Sequence, residues 1–237
     1  AYNPKSRRSY VSQAALQQRA ATRSGVAAGR FSDPGLAYQW HYTNSGNNAF
    51  DKTNSTGETL AGSIAGCDVG CYEAWQKCTG DPSVIVAVLD DGVMYTHPDL
   101  AGNIWVNDKE ELYAGTDADG NGYKDDRYGY NFVHNTAAIS WTDVSDIGHG
   151  THVSGTIAAM NNGYGVCGIA GGDGTKDSGV KIMICQVFAG ENSVSLNGEA
   201  QAIKYAADNG AVILQCSWGY NSPDANEALG YTPGPKD

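Results

Sequence analysis

Six apolar residues in a row, Val84 to Leu89, run straight into Asp90, Asp91 and Gly92. A valine-rich run of that length with no polar alternation suits a parallel strand buried on both faces. Carboxylates at its carboxyl end fall where open α/β sheets gather ligands and chemistry. Further downstream, Tyr128–Val133, Val180–Phe188 and Ala211–Cys216 read as strands. Cys71–Lys77 and Gly198–Asn209 read as helices, the second with Ala200, Ile203 and Ala207 on one face and Gly210 as its stop. A helix is also expected after His149, with Val153, Ile157 and Met160 as its apolar stripe. Strands alternating with helices predict a doubly wound, mostly parallel α/β sheet.

Charge narrows the function. The net charge of −11 over 237 residues argues against a general nucleic-acid binder and favours cation sites. Residues 1–30 carry six basic residues and no acidic one, which leaves −17 on residues 31–237. The first segment is read as an N-terminal extension or propeptide remnant, helical over Val11–Ala21, and the chain begins at Ala1 rather than Met. No apolar run approaches the roughly 18 residues of a membrane span. Of six cysteines, Cys167, Cys185 and Cys216 sit in apolar or Gly-rich surroundings that predict internal packing thiols. Cys67, Cys71 and Cys78 do not match zinc-ligand spacing.

Between Asn107 and Asp126 the chain is acidic and glycine-rich, centred on DADGNGYKDD. Asp117, Asp119 and Asn121 alternate and are followed by Gly122, like the first half of an EF-hand loop. The twelfth position from Asp117 is Tyr128 rather than a bidentate Glu, and Asp125 and Asp126 are candidates to supply that charge. This predicts a calcium site, against the simpler alternative of a solvated acidic turn.

VAVLDDGV (86–93), HPDL (97–100) and GHGTHVSGT (148–156) together resemble the Asp and His blocks of the subtilisin-like serine proteases. The resemblance covers about residues 84–220 and implies that residues 31–237 are the N-terminal part of such a catalytic domain. It assigns Asp90 as the orienting carboxylate and His149 as the general base of an Asp-His-Ser triad. AAMNNGYGVCGIA (158–170) resembles the family's calcium loop. That implies side-chain ligands from Asp99 and Asn162 and carbonyl ligands from Met160, Tyr164 and Val166. Ser217, Trp218 and Gly219 resemble the substrate-binding S-x-G segment, whose backbone pairs with an extended peptide. Trp218 resembles the variant in kexin-like convertases.

The family's Gly-Thr-Ser nucleophile motif is not in this sequence, nor is its oxyanion-hole Asn. Asp177-Ser178-Gly179 superficially resembles a trypsin block but lacks the flanking glycines and reads as a turn. Ser154 follows His149 on the same helix, a poor position for a nucleophile. The sheet is therefore expected to be incomplete in this chain, with an apolar edge, and inactive alone. The polar tail 221–237 is expected to be a surface loop and cleavage site. A complementary C-terminal segment would carry the Ser, in a secreted or cell-surface endopeptidase acting on polypeptides. Two alternatives remain: a non-catalytic, calcium-dependent peptide-binding or adhesion module, and a zinc hydrolase using His149 and His152.

Overall fold

In a computed structural model of the chain, β1 (Ile85–Asp90) lies inside a four-stranded sheet, every pairing parallel, of order β2 (Gly129–Asn131), β3 (Lys181–Gln186), β1 and β6 (Ile213–Gln215). The structure describes residues 31–46, 64–143 and 147–219. The basic segment 1–30 with its expected helix, most of the polar stretch before residue 64, and the tail 221–237 lie outside the described residues. Two compact units are distinguished: one of Ala1–Pro82, Pro98–Asn103 and Gly155–Val180, the other of Ser83–His97, Ile104–Ser154 and Lys181–Asp237.

The second unit holds the sheet. β3 aligns with the full length of β1, pairing Ala87 with Met183, Leu89 with Cys185 and Asp90 with Gln186. Because side chains alternate along a strand, Ala87, Leu89, Met183 and Cys185 share one face. α3 (Leu196–Asp208) covers that face with Ala202, Tyr205 and Ala206, and Tyr130 and Val187 complete the core. The N-cap of α3 is Ser195, whose Oγ accepts from the Gly198 amide at 3.3 Å. Asp90 and Gln186 belong to the opposite face, at the carboxyl end of the sheet. A short hairpin, β4 (Phe188–Ala189) with β5 (Asn192–Ser193), connects β3 to α3.

α2 (His149–Ala158) starts at His149, as its glycine-flanked sequence predicts, and ends before Met160. Its buried residues are Gly150, Ser154 and Ala158, four positions apart, while Val153 and Ile157 are only half-buried. The stripe expected at Val153, Ile157 and Met160 is thus displaced by one position. Small side chains at 154 and 158 let the helix pack closely, a signal that hydrophobic periodicity does not register.

The first unit packs Leu36, Tyr42, Cys71, Trp75 and Cys167, with Phe31 stacked on Trp75 at 4.2 Å between ring centroids. Its helix α1 is Cys71–Trp75. All six cysteines are free. Cys167 and Cys185 are buried as expected, but Cys216 is exposed, since it follows β6, whose Ile213 and Leu214 are themselves exposed at the sheet edge. Asp177-Ser178-Gly179 is a turn: the Ser178 hydroxyl donates to the Thr175 carbonyl at 2.7 Å and accepts from the Asp173 amide. Among the described residues no helix is long and apolar enough to cross a membrane.

Candidate active site

At the carboxyl end of β1 the chain turns so sharply that a Cβ on Gly92 would lie 1.3 Å from the Ser140 carbonyl oxygen. Gln186 holds that neighbouring segment: its Oε1 accepts from the Ser140 amide at 3.0 Å and its Nε2 donates to the Phe188 carbonyl at 3.0 Å. The turn presents two consecutive carboxylates to the start of α2. Asp90 Oδ1 lies 2.7 Å from His149 Nδ1 and also accepts the Asp91 amide at 2.8 Å. The Asp90 side chain is 3% exposed and that of His149 is 45% exposed. One end of the imidazole thus meets a buried carboxylate and the ring itself remains accessible. The Asp90 hydrogen bond is the main reason that the His149 pKa is raised above its ordinary value; burial opposes it, and the charges of Asp90 and Asp91 add to it. A carboxylate on Nδ1 fixes the tautomer that leaves Nε2 free to take a proton.

Asp91 has a different task. Its Oδ2 accepts from the His149 amide at 3.1 Å and its Oδ1 from the Gly150 amide at 2.5 Å. Ser217 and Gly219 are exposed, and the Trp218 side chain is tucked under. Its Nε1–H donates to the Leu89 carbonyl at 2.6 Å, and its ring packs edge-on against Phe188 at 5.5 Å. The S-W-G segment is thereby tied to the last residues of β1.

Residues 81–232 match the subtilase family. The chain belongs to that family. This subtilase is 38% identical over 139 residues to subtilisin-like protease 1 of Plasmodium vivax, covering 57% of this chain and 20% of the relative. It is 31% identical over 152 residues to a halolysin-like extracellular serine protease of Natrialba magadii, covering 64% of this chain and 23% of the relative. The chain spans about a fifth of the length of the curated relatives it matches. Among solved structures, the Aeromonas sobria serine protease, crystallised in complex with its chaperone, superposes with a TM-score of 0.55 at 25% identity. That match covers 86% of this chain and 31% of the other. The parallel sheet and its helices are accordingly part of a subtilisin-like α/β fold.

Two carboxylate-rich loops in the subtilase offer oxygen donors. In the sheet-bearing unit, Glu110, Asp119 and Asp126 bring one carboxylate oxygen each within 4.8 Å of one another, and Glu110 and Asp126 are buried. Asn107 Nδ2 donates to both Asp119 Oδ2 at 3.0 Å and Asp126 Oδ1 at 3.2 Å, and Asn121 Nδ2 donates to Asp126 Oδ2 at 2.9 Å. Asp117 and Asp125 stand apart: Asp117 accepts from the Asn121 and Gly122 amides, and Asp125 from the Gly115 amide. Burial raises the Asp126 pKa; hydrogen bonds from Tyr205 and Asn121 oppose this, and repulsion from Asp119 and Glu110 reinforces it. An all-oxygen set of this charge suits a hard divalent cation such as calcium. Glu110 escaped the sequence reading because it lies seven residues before the alternating motif; its acidic character alone gave no sign that it folds back.

In the other unit, the buried Asp99 accepts from the Val166 amide through Oδ2 at 2.9 Å, and Gly165 is so close that a Cβ there would lie 2.2 Å from the same oxygen. Met160 donates its amide to the Asp99 carbonyl at 2.8 Å. Asn162 Oδ1 accepts from the Tyr164 amide at 2.9 Å. The missed residue here is the buried Asp33, whose Oδ1 accepts from the amides of Asn162, Gly163 and Tyr164. Two buried carboxylates and an amide oxygen around one loop also suit calcium in donor chemistry. Among the described residues, no group of three metal-ligating side chains includes His149 and His152.

Proposed function

We propose that this subtilase is the Asp/His portion of a serine endopeptidase, in which Asp90 and His149 activate a serine hydroxyl supplied by a segment beyond these 237 residues. The observation that carries this is the 2.7 Å contact between His149 Nδ1 and the buried Asp90 Oδ1, with the imidazole otherwise accessible. In the acylation step the serine proton passes to His149 Nε2 as Oγ attacks the peptide carbonyl, and Asp90 stabilises the imidazolium through Nδ1–H. His149 then returns the proton to the leaving amine, and water, deprotonated by the same nitrogen, resolves the acyl-enzyme. The substrate is a polypeptide, lying extended along Ser217, Trp218 and Gly219 and held by their backbone groups. The exposed β6 edge is where the segment bearing the serine would continue the sheet. Calcium, bound by Asp99, Asn162 and the carbonyls of Met160, Tyr164 and Val166, and at the Asp117–Asp126 loop by Asp119, Asp126 and Glu110, would stabilise both loops. It has no part in the chemical steps. Secretion fits these calcium sites and the extracellular description of the halolysin-like relative.

A fluorophosphonate probe tests the reading on the protein extended through its downstream sequence. Labelling of a serine, lost in His149→Ala, is expected. Absence of labelling in a folded protein, with no peptide hydrolysis, would leave a peptide-binding module as the better account.

A further inference from the structure

Asp91 is one residue past the strand, buried, and not a member of the triad. It is 7% exposed, and both its oxygens are engaged by consecutive amides at the beginning of α2: Oδ2 by His149 at 3.1 Å, Oδ1 by Gly150 at 2.5 Å. The first amides of a helix have no partner within it, and a carboxylate there is favoured by both hydrogen bonding and the helix dipole. What distinguishes this cap is that one of the two residues it grips is the general base. The grip is tight from the helix side too. A Cβ on Gly150 would lie 2.6 Å from the Asp91 carbonyl oxygen and 2.7 Å from its Oδ1. The next residue is fixed as well, since Thr151 Oγ1 accepts the Met94 amide at 3.0 Å. Three successive residues of the first turn, His149, Gly150 and Thr151, are therefore held by the strand end and the turn that follows it.

We propose that Asp91 is the positioning residue of the general base: through the amides of His149 and Gly150 it fixes the first turn of α2 so that the imidazole meets Asp90. The assignment rests on the proteolytic reading above for its kinetic consequence, but not for its geometry. Consecutive side chains of a regular strand point to opposite faces. Only because the chain bends at Asp91 and Gly92 can both carboxylates address the same helix end, one through a side chain and the other through the backbone. Division of labour follows: Asp90 sets the tautomer, and Asp91 sets where the ring is. A displacement of about 1 Å in a catalytic group is enough to lower a rate roughly 10²-fold.

The test uses Asp91→Asn and Asp91→Ala in the protein that includes the downstream sequence. Asn keeps one acceptor oxygen and can hold one of the two amides; Ala holds neither. Expected is a fall in kcat of about 100-fold for D91A and about 10-fold for D91N, with KM nearly unchanged. Proton NMR on the same extended protein provides the second readout, which does not depend on turnover. The downfield resonance of the His149 Nδ1–H bonded to Asp90 should be sharp in the wild type, retained in D91N and lost or broadened in D91A. Wild-type kcat together with an unmoved resonance in both variants overturns the proposal. If D91A does not fold, D91N alone decides by its kcat: a fall of about 10-fold supports the proposal and a wild-type value overturns it. If even the wild type hydrolyses no peptide, the proteolytic reading fails while the resonance still judges Asp91.

Discussion

His149 can accept a proton only while its ring is neutral, so the environment that raises its pKa also sets when it can work. The dominant cause is the hydrogen bond to Asp90. The acid limb of kcat/KM is therefore expected above the ordinary histidine value of about 6.5. Asp90→Asn should move that limb down and lower kcat by roughly 10⁴-fold, through loss of the correct tautomer. A pH–rate profile of the wild type and of D90N checks both, and an acid limb that stays in place in D90N would count against the pairing. The sign for stability is the reverse of that for activity. A histidine whose folded pKa is raised contributes its full stabilisation below its unfolded pKa and loses it as pH rises through the folded one. Asp90 and His149 were legible in the sequence because each stands in a block of several consecutive characteristic residues. Asp91, Glu110 and Asp33 were not. What each does depends on backbone amides distant along the chain, and an amide has no letter in a sequence.

Elements repeat the same lesson at a larger size. β1 and β3 were readable because burial on both faces leaves an unbroken apolar run. β2 was harder: only three residues pair, and the first is Gly129 with φ of 121°. No side chain fits there, since a Cβ would lie 1.9 Å from the Ile184 carbonyl oxygen. Gly129→Ala combines a backbone conformation that L-residues avoid with a collision against β3. It should cost at least about 2 kcal/mol, displacing β2 and with it the acidic loop that precedes it. Chemical denaturation checks this, and a midpoint within error of the wild type would show that β2 contributes little. α2 illustrates the opposite failure. Its apolar stripe was legible but misplaced, because the buried face is made of Gly150, Ser154 and Ala158 rather than of the large residues beside them.

For the molecule as a whole, part of the acidic excess is buried in both compact units: besides Asp90 and Asp91, Asp33 and Asp99 lie in one and Glu110 and Asp126 in the other. Burying an ionised carboxylate costs several kcal/mol unless it is hydrogen-bonded or paired. Hydrogen bonds from backbone amides and from Asn107, Asn121 and Tyr205 offset part of that cost. A bound divalent cation would offset more. A ligand that binds only the folded chain stabilises it by RT ln(1 + [L]/Kd), about 2.7 kcal/mol at a hundredfold excess over Kd. Calcium is therefore expected to raise the unfolding midpoint and EDTA to lower it. Glu110→Gln, which removes one carboxylate charge from the acidic cluster, should diminish the calcium response. Asp99→Asn should diminish the part that belongs to the other loop, and the double variant should unfold at nearly the same temperature with calcium or chelator. The comparison has to be made within each variant, because neutralising a buried carboxylate also relieves repulsion and can raise the metal-free midpoint. If the wild type unfolds at one temperature whatever the calcium concentration, neither loop holds the ion. Hydrogen bonds, among them those from backbone amides, Asn107, Asn121, Tyr205 and the Cys167 thiol, then keep these charges buried without a metal.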